Sequence, residues 1–105
     1  NTYLSPYFQR PLSLGANIVI HSTTKYLNGH SDVIGGIVVS NDEKIIDKLH
    51  FIQMSEGAVP GPFDCWLTQR SLKTLAIRMK VHNSNAMQIA KVLAESDNIK
   101  NIFYI

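Results

Sequence analysis

Apolar residues gather into two short contiguous runs and two long spaced ones. Ile18-Val19-Ile20 and Ile37-Val38-Val39 are contiguous and β-branched, which predicts strands over 17–22 and 36–40. Unbroken apolar runs of this kind suit a sheet covered on both faces. Only the turn-rich stretch 23–34 separates them, so antiparallel neighbours are expected rather than a parallel pair joined by a helix. Ile45, Ile46, Leu49 and Ile52 then keep helical spacing. Ser40-Asn41-Asp42-Glu43 has the form of a capping box at the start of that helix, and Gly57 is its expected stop.

From Phe63 to about Ser96 the three-four spacing continues through Phe63, Trp66 and Leu67, then Leu75, Met79, His82, Ala86, Ile89, Ala90 and Leu93. A break is expected near Ser71–Thr74, Pro62 suits the first turn, and Asp97-Asn98 ends the run. Residues 100–105 read as a strand. Residues 1–16 read as loop with one short turn or helix, punctuated by Pro6 and Pro11 and ended by Gly15. Tyr3, Leu4, Tyr7, Phe8, Leu12 and Leu14 are placed to pack as a lid on the sheet.

Composition narrows the functional classes. The chain has 105 residues, 45% of them hydrophobic and 17% charged, which allows one globular domain at most. A net charge of +2, without a basic run, gives no basis for attraction to nucleic acid or a membrane surface. No apolar run approaches the ~20 residues of a membrane span. The single cysteine, Cys65, excludes an internal disulfide or a cysteine-based zinc site and suits a reducing, cytoplasmic setting. The chain opens without Met and closes on the apolar run Ile102–Ile105, which predicts an internal piece of a longer protein.

The candidate chemistry lies between the two predicted strands. There the chain carries Ser22, Thr24, Lys25, Tyr26, His21 and His30 among glycines. Lys25 is the only lysine or arginine between Arg10 and Lys44, and a lysine amine is the nucleophile that condenses with an aldehyde to form a Schiff base. Ser22 and Thr24 precede it by three residues and one. On an extended segment both hydroxyls would share a face opposite the lysine and could grip one anion together. An aldehyde and a phosphate on one small molecule describe pyridoxal phosphate (PLP). His21 and His30 lack a cysteine or carboxylate cluster and make a poor metal site, so no metal is expected. Asp32 is read as a turn cap, Gly35 and Gly36 as points of close backbone approach, and Cys65 and Trp66 as core or subunit contact. Arg70 and Arg78 are read as structural ion-pair partners.

Three blocks in order carry a resemblance. Ser5-Pro-Tyr-Phe-Gln-Arg-Pro11 comes first, then Ser22-Thr-Thr-Lys-Tyr26 with Gly29-His-Ser-Asp-Val33 and Gly35-Gly36. Gly57-Ala-Val-Pro-Gly-Pro-Phe-Asp-Cys-Trp-Leu67 and Arg70-Ser-Leu-Lys-Thr-Leu75 complete the set. Together they resemble the Cys/Met-metabolism family of fold-type I PLP enzymes, whose members include the cystathionine lyases and synthases. Ser71 stands where the family usually has glycine. The resemblance implies an α/β fold, part of a large domain with a mixed, mostly parallel sheet flanked by helices. Residues 1–97 would be the C-terminal part of that domain, with a long bridging helix, and 98–105 the first strand of a small C-terminal domain. It implies Lys25 as the catalytic, PLP-linked lysine and Ser22 and Thr24 as phosphate ligands. It further implies a small amino-acid substrate and a homotetramer of active-site-sharing dimers. The implied reaction is γ-elimination, turning cystathionine into cysteine, 2-oxobutanoate and ammonia. The alternatives are γ-replacement by a synthase, another lyase of the family, or a non-catalytic subunit-contact module.

Overall fold

The structure, a computed structural model, describes residues 1–104. In chain order it comprises α1 (Ser5–Phe8), a 3-10 turn (Pro11–Leu14), β1 (Ile18–Ser22) and a wide π-helical turn (Thr23–Leu27). These are followed by β2 (Gly36–Ser40), α2 (Glu43–Glu56), α3 (Pro62–Leu72) and α4 (Leu75–Ala94). The chain falls into two compact units, one over Asn1–Leu75 and one from Ala76 onward.

The two strands pair antiparallel as their short connection predicts, with Ile18 opposite Ser40 and Ser22 opposite Gly36. Their cover differs from the sequence reading. Val19 and His21 of β1 are buried, but Ile18 and Ile20 on the other face are exposed, and so are Ile37, Val38 and Val39 of β2. The apolar run is suited to a sheet sandwiched on both sides, and the described residues cover one side of β1 only. Asn1 and Thr2 lie along the outer edge of β1. The amino terminus donates to the Ile20 carbonyl at 2.8 Å, and Ser22 N donates to Thr2 Oγ1 at 2.8 Å.

The first 16 residues hold two short helical pieces rather than one, each with proline at its start, and Gly15 closes the second in a left-handed conformation. As a lid they are incomplete: Tyr3 is 86% and Leu14 75% exposed, Leu4 and Phe8 are also exposed, and Tyr7 and Leu12 are half-buried. Asn1 ties this segment locally instead, its Nδ2 donating to the carbonyls of Ser5 and Gln9.

Asp42, not Ser40, caps α2, its side chain accepting from Lys44 N at 2.9 Å. Ser40 is still strand, and its hydroxyl donates to the Asn17 carbonyl while accepting from Asp42 N. The expected stripe is half-buried at Ile45, Ile46 and Leu49, and Ile52 is exposed. Gly57 ends the helix with φ 71°. Gly61 caps α3 with Pro62 in its first turn, and the expected break falls at Lys73–Thr74. Along α4 the stripe is buried at Leu75 and Met79, but Ile89 and Leu93 are exposed. Residues 99–104 take no regular element, because a strand needs a partner and the described residues pair none there. Ile105 of the expected strand lies outside the described residues.

Candidate active site

The site grows out of the end of β1. Ser22 is its last extended residue (φ −75°, ψ 120°), and the chain then coils at once into Thr23–Leu27. Ser22 and Thr24 therefore belong to different elements, and the shared-face geometry of an extended segment does not apply to them. Thr23 and Leu27 are buried, Ser22, Thr24 and Tyr26 are half-buried, and Lys25 is exposed. At Lys25 the backbone (φ −92°, ψ −125°) leaves helical values and divides the turn in two.

Gly35, just ahead of β2, is what the turn closes onto. Thr23 N donates to its carbonyl at 2.9 Å. The Thr24 hydroxyl accepts from Gly35 N at 2.9 Å and donates to Gly35 O at a longer 3.3 Å. A Cβ on Gly35 would meet Thr23 Oγ1 at 2.8 Å, so this glycine is required by close approach. Gly36 is less constrained, with 3.4 Å from a Cβ to the His21 carbonyl. Thr23, which is not among the candidate residues read from the sequence, is thus part of the fastening. Ser22 Oγ takes no hydrogen bond among the described residues, although its backbone N is held by Thr2.

A buried polar cluster fixes the far end of the turn. Asn28 is fully buried, and its N donates to the Thr23 carbonyl while Gly29 N donates to Lys25 O at 2.7 Å. Asn28 Nδ2 donates to Asp32 Oδ1 at 2.6 Å, in keeping with a capping role for Asp32. Ser71 Oγ, from α3, donates to Asn28 Oδ1 at 3.2 Å. His30 Nδ1 lies 2.6 Å from the Asn28 carbonyl and 3.2 Å from Ser71 Oγ. A carbonyl can only accept, so Nδ1 carries the ring proton. His30 thus turns the chain together with Asn28 and Gly29. No local pattern announces the Ser71 contact, because 43 residues separate Ser71 from Asn28.

His21 is buried beside the strand end with Nδ1 unpartnered among the described residues. Burial, then the nearby amino-terminal charge, hold its pKa below the ordinary 6.5 against a hydrogen bond with the Asn1 backbone. No group of three His, Cys, Asp or Glu among the described residues is arranged to hold a metal ion. A mostly apolar hollow of about 590 Å³ lies elsewhere, bordered by Ile37 of β2, Ile46 and Leu49 of α2, and Cys65 and Leu72 of α3. Lys25 does not line it. Trp66 is 55% exposed and stacks on Phe63 at 5.8 Å, so it is not core within this chain.

A strand that delivers hydroxyls and an exposed lysine into a wide turn, closed by glycine against an antiparallel neighbour, defines an α/β segment built around a lysine. The chain belongs to the Cys/Met metabolism PLP-dependent enzyme family, whose profile matches residues 1–105. It is 54% identical over 104 residues to a putative cystathionine gamma-lyase 2 of Caenorhabditis elegans, covering 99% of this chain and 26% of that one. It is 52% identical over 104 residues to a probable cystathionine gamma-synthase of Herpetosiphon aurantiacus, covering 99% of this chain and 33% of that one. The crystal structure of cystathionine gamma-lyase from Lactobacillus plantarum, complexed with L-serine, superposes with a TM-score of 0.96 at 45% identity. That match covers 99% of this chain and 27% of the other. The chain thus spans between about a quarter and a third of the length of these relatives. Its α/β fold is part of the fold-type I architecture, and its family's cofactor is PLP.

Proposed function

We propose that these residues form the lysine-bearing part of a PLP-dependent lyase that carries out γ-elimination on a sulfur amino acid. Cystathionine would yield cysteine, 2-oxobutanoate and ammonia. The observation that carries the reading is Lys25: an exposed residue, at the break of a fastened turn, directly after the hydroxyl-bearing Ser22 and Thr24. The donor set suits a phosphate. Ser22 Oγ is uncommitted among the described residues, and the Thr24 proton points only to a 3.3 Å acceptor while its oxygen is anchored by Gly35 N. A small rotation of that hydroxyl would turn its proton to an anion without losing the anchor.

PLP, when bound, supplies the electron sink that such eliminations need. The chain's own contribution is narrower. Ser22 and Thr24 would hold the cofactor's phosphate by donating hydrogen bonds to it, and Lys25 would hold its aldehyde end through the side-chain amine. The Lys25 amine would also accept the proton from the substrate α-carbon and return one at another carbon. Residues 1–97 are proposed as the C-terminal part of the cofactor-binding large domain, and 98–105 as the entry to a small C-terminal domain. The parent is proposed as a cytoplasmic homotetramer of site-sharing dimers. Among the described residues, no helix is long and apolar enough to cross a membrane.

The test is turnover by a polypeptide of the relatives' full length that carries these residues. Release of 2-oxobutanoate from cystathionine, lost in Lys25→Ala, is expected. Condensation of an O-acyl homoserine with cysteine, without 2-oxobutanoate, would reassign it to γ-replacement. Turnover undiminished in Lys25→Ala would refute the role of the lysine.

A further inference from the structure

The turn that carries Lys25 is held at both ends. Its start is fastened to Gly35, and its end to α3 through Ser71. The second fastening is the less expected one. Ser71 is buried, and its hydroxyl reaches Asn28 Oδ1, the side chain of the residue that closes the turn. Asn28 in turn spans from the Thr23 carbonyl to the Asp32 carboxylate. Beyond it the chain passes through Ser31 with φ 58°, a left-handed conformation that a serine adopts at a cost. Such a conformation persists only where surrounding bonds over-determine it, and the bonds of Asn28, His30 and Asp32 enclose Ser31 on both sides. The carbonyl of Lys25 itself accepts from Gly29, the next residue after Asn28.

We propose that Ser71 is a positioning residue: its buried hydroxyl, acting through Asn28, holds the turn so that the Lys25 amine stays presented at the mouth of the site. The inference rests on the reading of Lys25 as the reactive amine. Ser71 stands outside the segment 22–36 and reaches it through Asn28, whose backbone N donates to the Thr23 carbonyl at the start of the turn. Asn28 cannot exchange Ser71 for water without opening the cluster, because it is fully buried. Removal of the hydroxyl leaves Asn28 Oδ1 without that donor, and the turn gains freedom where the amine is mounted. A glycine at this position would have no hydroxyl to offer, so the fastening through α3 depends on the serine present here.

The experiment uses a polypeptide of the relatives' full length carrying this sequence, prepared without cofactor and mixed with PLP. The rate at which PLP becomes borohydride-fixable on Lys25 is followed by peptide mass, and amide hydrogen exchange is measured in parallel. In Ser71→Ala, fixation on Lys25 slows roughly tenfold, as expected for loss of one buried hydrogen bond that orients the amine. Exchange should rise in residues 23–31 and stay unchanged in α2. Ser71→Thr, which keeps the hydroxyl, should restore both. An unchanged rate in Ser71→Ala overturns the proposal alone, and so does a rise in exchange spread evenly over β1, α2 and α3. Label on a lysine other than Lys25 in the unaltered protein overturns the lysine assignment and this proposal with it.

Discussion

At the residue scale, the site depends on contacts too short for substitution. Gly35 leaves 2.8 Å between a built Cβ and Thr23 Oγ1, a distance real side chains do not adopt. Gly35→Ala should therefore cost on the order of 1–3 kcal/mol, the usual scale of overpacking. Thr23→Ala removes the clashing oxygen, so the double variant should recover part of that loss in a denaturant-midpoint cycle. Additive losses would show that the two positions do not collide. His21 gives a second prediction. Its burial favours the neutral ring, so its folded pKa lies below 6.5. The unfolded state then binds the proton more readily, and the contribution is full above 6.5 and lost as pH falls through the folded value. Unfolding midpoints should fall between pH 7 and pH 5, and the fall should shrink in His21→Leu. These residues differ in how far sequence reveals them. Lys25 with its two hydroxyls stands out because the residue types and their spacing are chemically suggestive. Ser71 and Thr23 do not, because their roles arise only when distant segments meet.

At the element scale, period and punctuation were good guides to existence and poorer guides to ends. Antiparallel pairing followed from the short connection between β1 and β2, and the break after Leu72 from the polar stretch there. The cap of α2 shows why ends mislead. Ser40 and Glu43 satisfy the capping-box pattern, yet pairing with Ile18 keeps Ser40 in the strand and moves the cap to Asp42. Asp42→Ala should accordingly destabilise by about 1 kcal/mol. A thermal melt in which Ser40→Ala perturbs the helix start and Asp42→Ala does not would restore the simpler pattern. The turn after Ser22 falls in the expected turn-rich stretch, but its coiled conformation departs from the extended geometry supposed for Ser22 and Thr24, for a related reason. A strand-end run of hydroxyls reads as extended, but Gly35 offers both a donor and an acceptor that draw the chain into a coil.

At the scale of the whole molecule, the exposed faces matter most. The sheet is open to solvent at apolar side chains on both faces, Ile18, Ile20 and Val38 on one and Ile37 and Val39 on the other, a surface with hydrophobicity suited to burial. Sequence predicts that surface as covered because its composition is that of an inner strand, and the cover is not among the residues described. The same holds for the upper turns of α4 and for Phe63 and Trp66. The isolated 105-residue chain should therefore bind PLP poorly, by titration of the visible absorbance, whereas a polypeptide of the relatives' length should bind it tightly. Equal affinity of the two would mean that the segment alone holds the cofactor.

The central claim is that Lys25 is the amine that takes the cofactor. It is tested most directly by reducing the PLP-loaded, full-length polypeptide with borohydride and mapping the pyridoxyl label by peptide mass spectrometry. The account predicts stoichiometric label on the peptide containing Lys25. Stoichiometric label on any other lysine, with Lys25 unmodified, would contradict it.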